Sequence, residues 1–501
     1  MKPRLPLRRA LADPHLLGKS LAGESWSAWR TLLIATMGEE LTGDERAAFK
    51  QLTGRDREPG TRVEELVAVV GRRGGKSRAI SVLAAYIAGI CRHDALVPGE
   101  RGVLLIIAPD QKQADIVLDY ITANFNNSTM LKQLVDGRSN RELRLNNNID
   151  IAVRASDFRT LRGPTYVAVV ADESAFWYSD NSANPDAEIL NAVRPGLATT
   201  GGPLFMISSP YARRGELWKT FNKHFNADGD PAILVARGSS RDFNPSLKQS
   251  VIDRTMERDP ASASAEYMAE FRKDIEAFIS HEAVANCYLP NVYERPPRAN
   301  VRYHAFTDPS GGSSDSFALS IGHIDYSKQV VVVDAIREAR PPFSPELIVI
   351  EFAKLLASYN VSTVQGDRFG GVWSVEQFAK VGIKYEQSAA PKSDLYRDLL
   401  PLINSRRIEL LDNPKLIAQL VNLERRVPRG GKDSIDHPPG AHDDLANAIA
   451  GLAAINSQFG SFDTSYTWFN GRNENEEDPN EAWQRMRRNF YLESGGAIKL
   501  W

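Results

Sequence analysis

Along residues 1–60 apolar positions recur at helical spacing, and Trp26 and Trp29 fall on one side of a short amphipathic segment. Thr42 and Glu45 stand three apart, the form of a capping box that opens a helix. The rhythm then changes. Residues 64–70 are a short apolar run ending in glycines, 76–92 are helical in pattern, 103–108 are a second buried-type run and 111–125 are helical again. Strand, helix, strand, helix predicts a parallel α/β sheet with helices on both faces. The runs 149–154, 166–171, 203–208 and 232–236 add four strands to it.

From 238 to 298 the strand pattern stops, the chain is polar and helical over 260–273, and Pro296-Pro297 marks a linker. A different order follows. Runs at 301–307, 317–324 and 329–336 have short connections that suit antiparallel pairing. Helix 345–359, strand 361–365, helix 373–380, strand 383–386, helix 393–405, strand 407–411 and two further helices come after them. Three antiparallel strands and then alternation is the order of a ribonuclease-H-like mixed sheet. The tail from 461, rich in Asn, Glu and Arg, has no strand pattern and is expected to be partly disordered. The expected organisation is a P-loop NTPase domain at 1–237, a lid and linker at 238–298, a ribonuclease-H-like domain at 299–460 and a tail at 461–501.

Composition narrows the picture in three ways. A length of 501 residues fits two or three domains. Lys plus Arg number 61 against 63 Asp plus Glu, so any nucleic-acid contact must use local basic patches rather than a global field. Two cysteines, Cys91 and Cys287, exclude a disulfide framework and a cysteine-rich zinc site, and fit a reducing compartment. The longest apolar run, 79–91, is too short for the roughly 20 residues of a membrane span. No secretory signal is read in the basic, proline-broken N-terminus. A cytoplasmic protein is expected.

Two constellations carry chemistry. Gly71-Arg72-Arg73-Gly74-Gly75-Lys76-Ser77 lies where a strand gives way to a helix, although the standard phosphate-loop pattern wants Gly where Val70 stands. Lys76 would reach the β and γ phosphates and Ser77 would bind Mg²⁺. The apolar run 166–171 ends in Asp172-Glu173, so that Asp172 would hold the magnesium, directly or through water, and Glu173 would polarise the attacking water. Ser208-Ser209 closes the next strand, where a hydroxyl could sense the γ phosphate. Arg162, Arg213 and Arg214 are the arginines best placed for phosphate or for a neighbouring subunit's nucleotide.

The second constellation is acidic. Asp308 ends the first strand of the later sheet and Asp367 ends its fourth, and these strands are neighbours in such a sheet. Asp444 opens an apolar helix and points at the pair, with Asp443 as its substitute. Asp315 would add a ligand or stand behind one. Converging carboxylates need cations, and two Mg²⁺ or Mn²⁺ ions about 4 Å apart suit phosphodiester hydrolysis.

With these motifs in this order, residues 20–455 resemble the large terminase subunit of tailed bacteriophages. The resemblance implies an ATPase using ATP with Mg²⁺, with Lys76 and Ser77 as its nucleotide-binding pair, Asp172 and Glu173 as its acids and Ser208-Ser209 as its coupling motif. It implies a nuclease with Asp308, Asp367 and Asp444 as metal ligands. It further implies packaging of double-stranded DNA and cutting of its concatemer, by a homo-oligomeric ring on the portal protein of a procapsid, with a small terminase subunit and no membrane. Such a protein would work in the host cytoplasm, docked on the procapsid, and would be absent from the mature virion. A helicase-nuclease of DNA repair and an inert capsid-assembly protein are the alternatives.

Overall fold

The computed structural model describes residues 1–459 except 156–160, 180, 181, 183, 227, 228, 314, 368–370 and 428–432, so the expectation for the tail at 461–501 lies outside the described residues. Two large sheets organise it. β1 (Lys2–Pro3) pairs antiparallel with β3 (Cys91–Arg92), between which lies β2 (Glu65–Val70). β4 (Gly102–Ala108), β5 (Val135–Arg138), β6 (Glu142–Leu145), β7 (Ile149–Ala155), β8 (Tyr166–Asp172), β9 (Leu204–Ser208) and β10 (Ile233–Gly238) follow.

The first sheet runs β10-β2-β9-β8-β4-β7-β6-β5, parallel from β10 through β7 and antiparallel at the β6 and β5 edge. Its strands are apolar on both faces because both faces are covered. Leu66, Ala68 and Val70 join one core, with Trp29, the helix Lys76–Gly89 and the helix Gln111–Asn127. Val67 and Val69 join the other, with the helix Pro185–Ala198 and Phe271. The helix expected over 76–92 ends at Gly89, since Cys91 and Arg92 pair with the N-terminal residues. β5 and β6 were not expected. They are short, charged edge strands with no apolar run to read.

The segment 238–298 is helical over Gln249–Arg258 and Pro260–Met268, yet it also carries a strand, β11 (Ile275–Ala277), where none was expected. The second sheet takes β12 (Tyr303–Asp308), β13 (Phe317–Asp325), β14 (Val330–Ala339), β15 (Thr363–Gly366), β16 (Lys384–Gln387) and β17 (Ile408–Glu409). Its order is β16-β15-β12-β13-β14-β17, with β12, β13 and β14 antiparallel as expected, and β15 parallel to β12. β18 (Glu424–Arg426) and β19 (Ser434–Asp436) complete a small sheet with β11.

One face of the second sheet packs Phe317 and Leu319 against Val349, Phe352 and Leu356 of the helix Pro345–Ser358. The helix Asp444–Phe459 crosses the other face. Ser320 Oγ donates to Ala448 O at 2.8 Å, and a Cβ on Gly451 would come within 2.3 Å of the Phe306 ring. Only glycine lets the helix seat this closely, and the seating carries Asp444 and Asn447 to the end of β12. Among the described residues no helix is long and apolar enough to cross a membrane.

Candidate functional site

The loop between β2 and the helix Lys76–Gly89 is braced from outside. Trp29 Nε1 donates to Gly74 O at 2.7 Å, Asn244 Nδ2 to Arg73 O at 2.9 Å and Ser240 Oγ to Arg72 O at 2.6 Å. Three successive carbonyls are thus each bonded by a side-chain donor of the surrounding scaffold. Arg73 and Gly75 are left-handed, with φ of 64° and 85°, and a Cβ on Gly75 would meet Trp26 at 2.8 Å. Arg72 is held by Glu266 at 2.9 Å.

Inside this loop the charged groups converge. Lys76 is buried; its Nζ lies 3.2 Å from Glu173 Oε1 and donates to Ser209 Oγ at 2.8 Å. Ser77 Oγ and Gln113 Nε2 each donate to Asp172 Oδ2 at 3.3 Å. Glu173 Oε2 accepts from Ser208 Oγ at 3.2 Å and Ser209 N at 3.1 Å. Asp172 is fully buried, its Oδ1 has no partner among the described residues, and burial, then the charge of Glu173, pushes its carboxyl up. An orphaned buried oxygen beside a serine hydroxyl fits a hard divalent cation. The groups open on a cleft of about 760 Å³ that Arg72, Arg73, Gly75, Glu173 and Ser209 help to line.

The three other arginines stand apart from this cleft. Arg213 lies over the Trp218 ring at 5.3 Å, Arg214 pairs with Glu424 at 2.5 Å, and Arg162 is exposed. Within one chain none of the three is among the residues that line it. Glu424 is wholly buried on β18 and also accepts from Tyr211 OH at 2.7 Å, which links the exit of β9 to the small sheet.

The later sheet gathers the acids. Thr307 pairs with Gly366, so Asp308 and Asp367 follow at the same edge of adjacent strands. Tyr385 OH donates to Asp367 O at 2.9 Å and fixes its backbone. Burial pushes the Asp308 carboxyl well above its ordinary range, a hydrogen bond from Asn447 Nδ2 at 2.9 Å opposes this, and the charges of Asp444, Asp367 and Asp443 add to the rise. Asp444 is buried, its Oδ2 lacks a partner among the described residues, and burial followed by the neighbouring Asp443 raises it to about 6. Two raised carboxyls, one of them with an orphaned oxygen, beside Asp367 on the neighbouring strand fit divalent metal.

The acid that opens this last helix and the one just before it have different surroundings. Asp443 takes the Lys392 ammonium at 2.7 Å and the Tyr396 hydroxyl at 2.7 Å. Asp444, whose charge acts on Asp308, has no such ion pair among the described residues. Asp315 is exposed, 3.6 Å from His442, and its charge reaches Asp444 without closing the cluster. Sequence reasoning missed Asn447, Lys392, Tyr396 and Gln113. Asn447 was findable, three residues after Asp444 on one helical face. The others carry no local signal.

No family model and no curated protein matches the chain. Solved structures do, at low identity. The HK97 bacteriophage large terminase is 15% identical over 78% of this chain and 91% of that one, with a TM-score of 0.35. The Thermus phage P74-26 large terminase ATPase domain is 20% identical over 47% and 96%, with a TM-score of 0.35. The large terminase nuclease of thermophilic phage G20c with bound magnesium is 17% identical over 36% and 98%, with a TM-score of 0.32. What the chain is similar to, in each of these solved structures, is a large terminase or one of its domains.

Proposed function

We propose that this chain is a viral DNA-packaging motor, an ATPase and a metal-dependent endonuclease in one polypeptide. The observation that carries the reading is the presence of two separate acidic centres in one compact unit, Met1–Gln458, each at the strand ends of its own sheet. In the first, Lys76 and the braced loop bind the β and γ phosphates of ATP, Ser77 and Asp172 hold Mg²⁺, and Glu173 takes the proton of the attacking water. Ser208 and Ser209 report the state of that base to the rest of the chain. In the second, Asp308, Asp367 and Asp444 hold divalent metal, which when bound activates water and stabilises the leaving oxygen of a phosphodiester. Asn447 orients Asp308, and Asp443 is kept out of the ligand set by Lys392. The domains are 1–237 for the motor, 238–298 for lid and linker and 299–460 for the nuclease, with 461–501 a tail.

In this reading the motor works as a homo-oligomeric ring on the portal of a procapsid, with a small terminase subunit, on double-stranded DNA in the host cytoplasm. The test is ATP turnover with DNA, with and without empty capsids bearing a portal, beside plasmid nicking in Mg²⁺. DNA and capsids together should stimulate turnover. Glu173→Gln should bind ATP without hydrolysing it and Lys76→Ala should lose binding, while Asp308→Asn should abolish nicking and leave turnover intact. Wild-type turnover by Glu173→Gln, or full nicking by Asp308→Asn, defeats the assignment.

A further inference from the structure

Beside the nuclease acids lies a second set of metal-type donors that the proposed chemistry does not use. Asp436, at the end of β19, His437 and Asp443 each present one donor atom, and these atoms lie within 4.8 Å of one another. His437 Nδ1 stands 2.9 Å from Pro438 O, an oxygen that can only accept, so the neutral ring carries its proton there and keeps a lone pair on Nε2. Nε2 points at the acids, 3.8 Å from Asp436 Oδ1 and 3.9 Å from Asp443 Oδ1. An imidazole whose far nitrogen is fixed by a carbonyl is the usual arrangement of a metal-ligating histidine.

An ammonium already sits between the two carboxylates. Lys392 Nζ lies 2.7 Å from Asp443 Oδ2 and 3.3 Å from Asp436 Oδ1. It is held there by its own helix, Lys392–Asn404, whose next turn sends Tyr396 OH to Asp443 at 2.7 Å. Ser393 Oγ and Ile435 exchange hydrogen bonds of 3.0 and 3.1 Å, which lock the helix start to β19. Arg426 donates to His437 O at 2.9 Å and fixes the loop.

We infer that Lys392 is a built-in cation that closes a transition-metal site made of Asp436, His437 and Asp443, and so confines metal to Asp308, Asp367 and Asp444. The closed site stands on the geometry alone; the confinement rests on the nuclease reading. Two carboxylates and an imidazole without the ammonium would favour Mn²⁺, Co²⁺ or Zn²⁺ over Mg²⁺, because nitrogen is a softer donor than oxygen. The lysine therefore sets which metal, and how many, this end of the sheet accepts.

The experiment counts bound Mn²⁺ per full-length chain from the loss of the free-ion paramagnetic resonance signal, with no nucleotide and no DNA. Lys392→Met keeps most of the side chain and removes the charge, and it should bind one Mn²⁺ more than wild type. Lys392→Arg should keep the wild-type number, and Lys392→Met with His437→Ala should return to it. A folded Lys392→Met or Lys392→Ala protein that binds no additional ion overturns the inference, as does an additional ion that survives His437→Ala. Asp308→Asn in the wild-type background tests the nuclease reading separately. If it changes no count while Lys392→Met still gains its His437-dependent ion, the nuclease ligands are wrong and the closed site stands.

Discussion

Trp29 holds the loop between β2 and the helix Lys76–Gly89 by one N–H, and its ring is packed against Phe243 with centroids 4.5 Å apart. Trp29→Phe keeps the apolar contact and removes the donor to Gly74 O. A hydrogen bond of this kind contributes about 1 kcal/mol, and a buried acceptor left unsatisfied costs more. KM for ATP should rise about fivefold to tenfold with a smaller change in kcat, as read by steady-state turnover; an unchanged KM would show that the loop holds its shape unaided. The paired acids on the last helix make a second residue-scale case. Asp444→Asn should collapse nicking, whereas Asp443→Asn should nick more than Asp444→Asn and melt lower than wild type, because Lys392 loses its nearest counter-charge. Asn447→Ala should lower nicking about 10- to 100-fold, as loss of a group that orients a ligand does. Equal effects in all three would mean the helix, not the individual acid, is what matters.

Among the elements, the small sheet of β11, β18 and β19 joins chain segments far apart in sequence. Phe278 N donates to Leu423 O and Val427 N to Asp274 O, both at 3.0 Å, beyond the ladder itself. A fragment of 272–460 should therefore melt higher than one of 295–460, and the shorter should show faster amide exchange in β18. Equal melting would show that β11 is an ornament of the later sheet. Glu424 ties the same sheet to Tyr211 and Arg214, and removing a fully buried carboxylate from two arginines should cost about 3 kcal/mol in the Glu424→Gln full chain, measured by denaturant unfolding. The long strands were legible in the sequence because both faces of the first sheet are buried, so β2, β4, β8 and β9 read as unbroken apolar runs. β11, β18 and β19 were not, for they are three residues each and owe their conformation to partners no window of sequence contains.

At the scale of the whole molecule the two acidic centres follow the same logic by different means. In both, a strand delivers an acid to a sheet edge and burial drives that acid toward protonation. Which acids converge was readable from the order of elements, since Asp308 and Asp367 end strands that the ribonuclease-H-like order makes neighbours. What surrounds them was not, because Lys392 and Gln113 arrive from helices elsewhere in the chain. The arginines remain the open test of assembly. With Arg213 over Trp218 and outside the cleft of its own chain, Arg213→Ala should hydrolyse ATP poorly alone and regain turnover when mixed with Glu173→Gln chains, which still supply that arginine. Absence of rescue for Arg213, Arg214 and Arg162 alike would remove the trans contact from the packaging reading.

The ion pair of Lys76 with Glu173 gives the packaging reading a safety catch. Glu173 lies against that ammonium and accepts from Ser208 and Ser209, so a base at this place would be held by protein partners. In the packaging reading an entering γ phosphate would compete for the ammonium and release the carboxylate when there is a bond to break. Copies without fuel would then stay quiet, and the fuel itself would be the key.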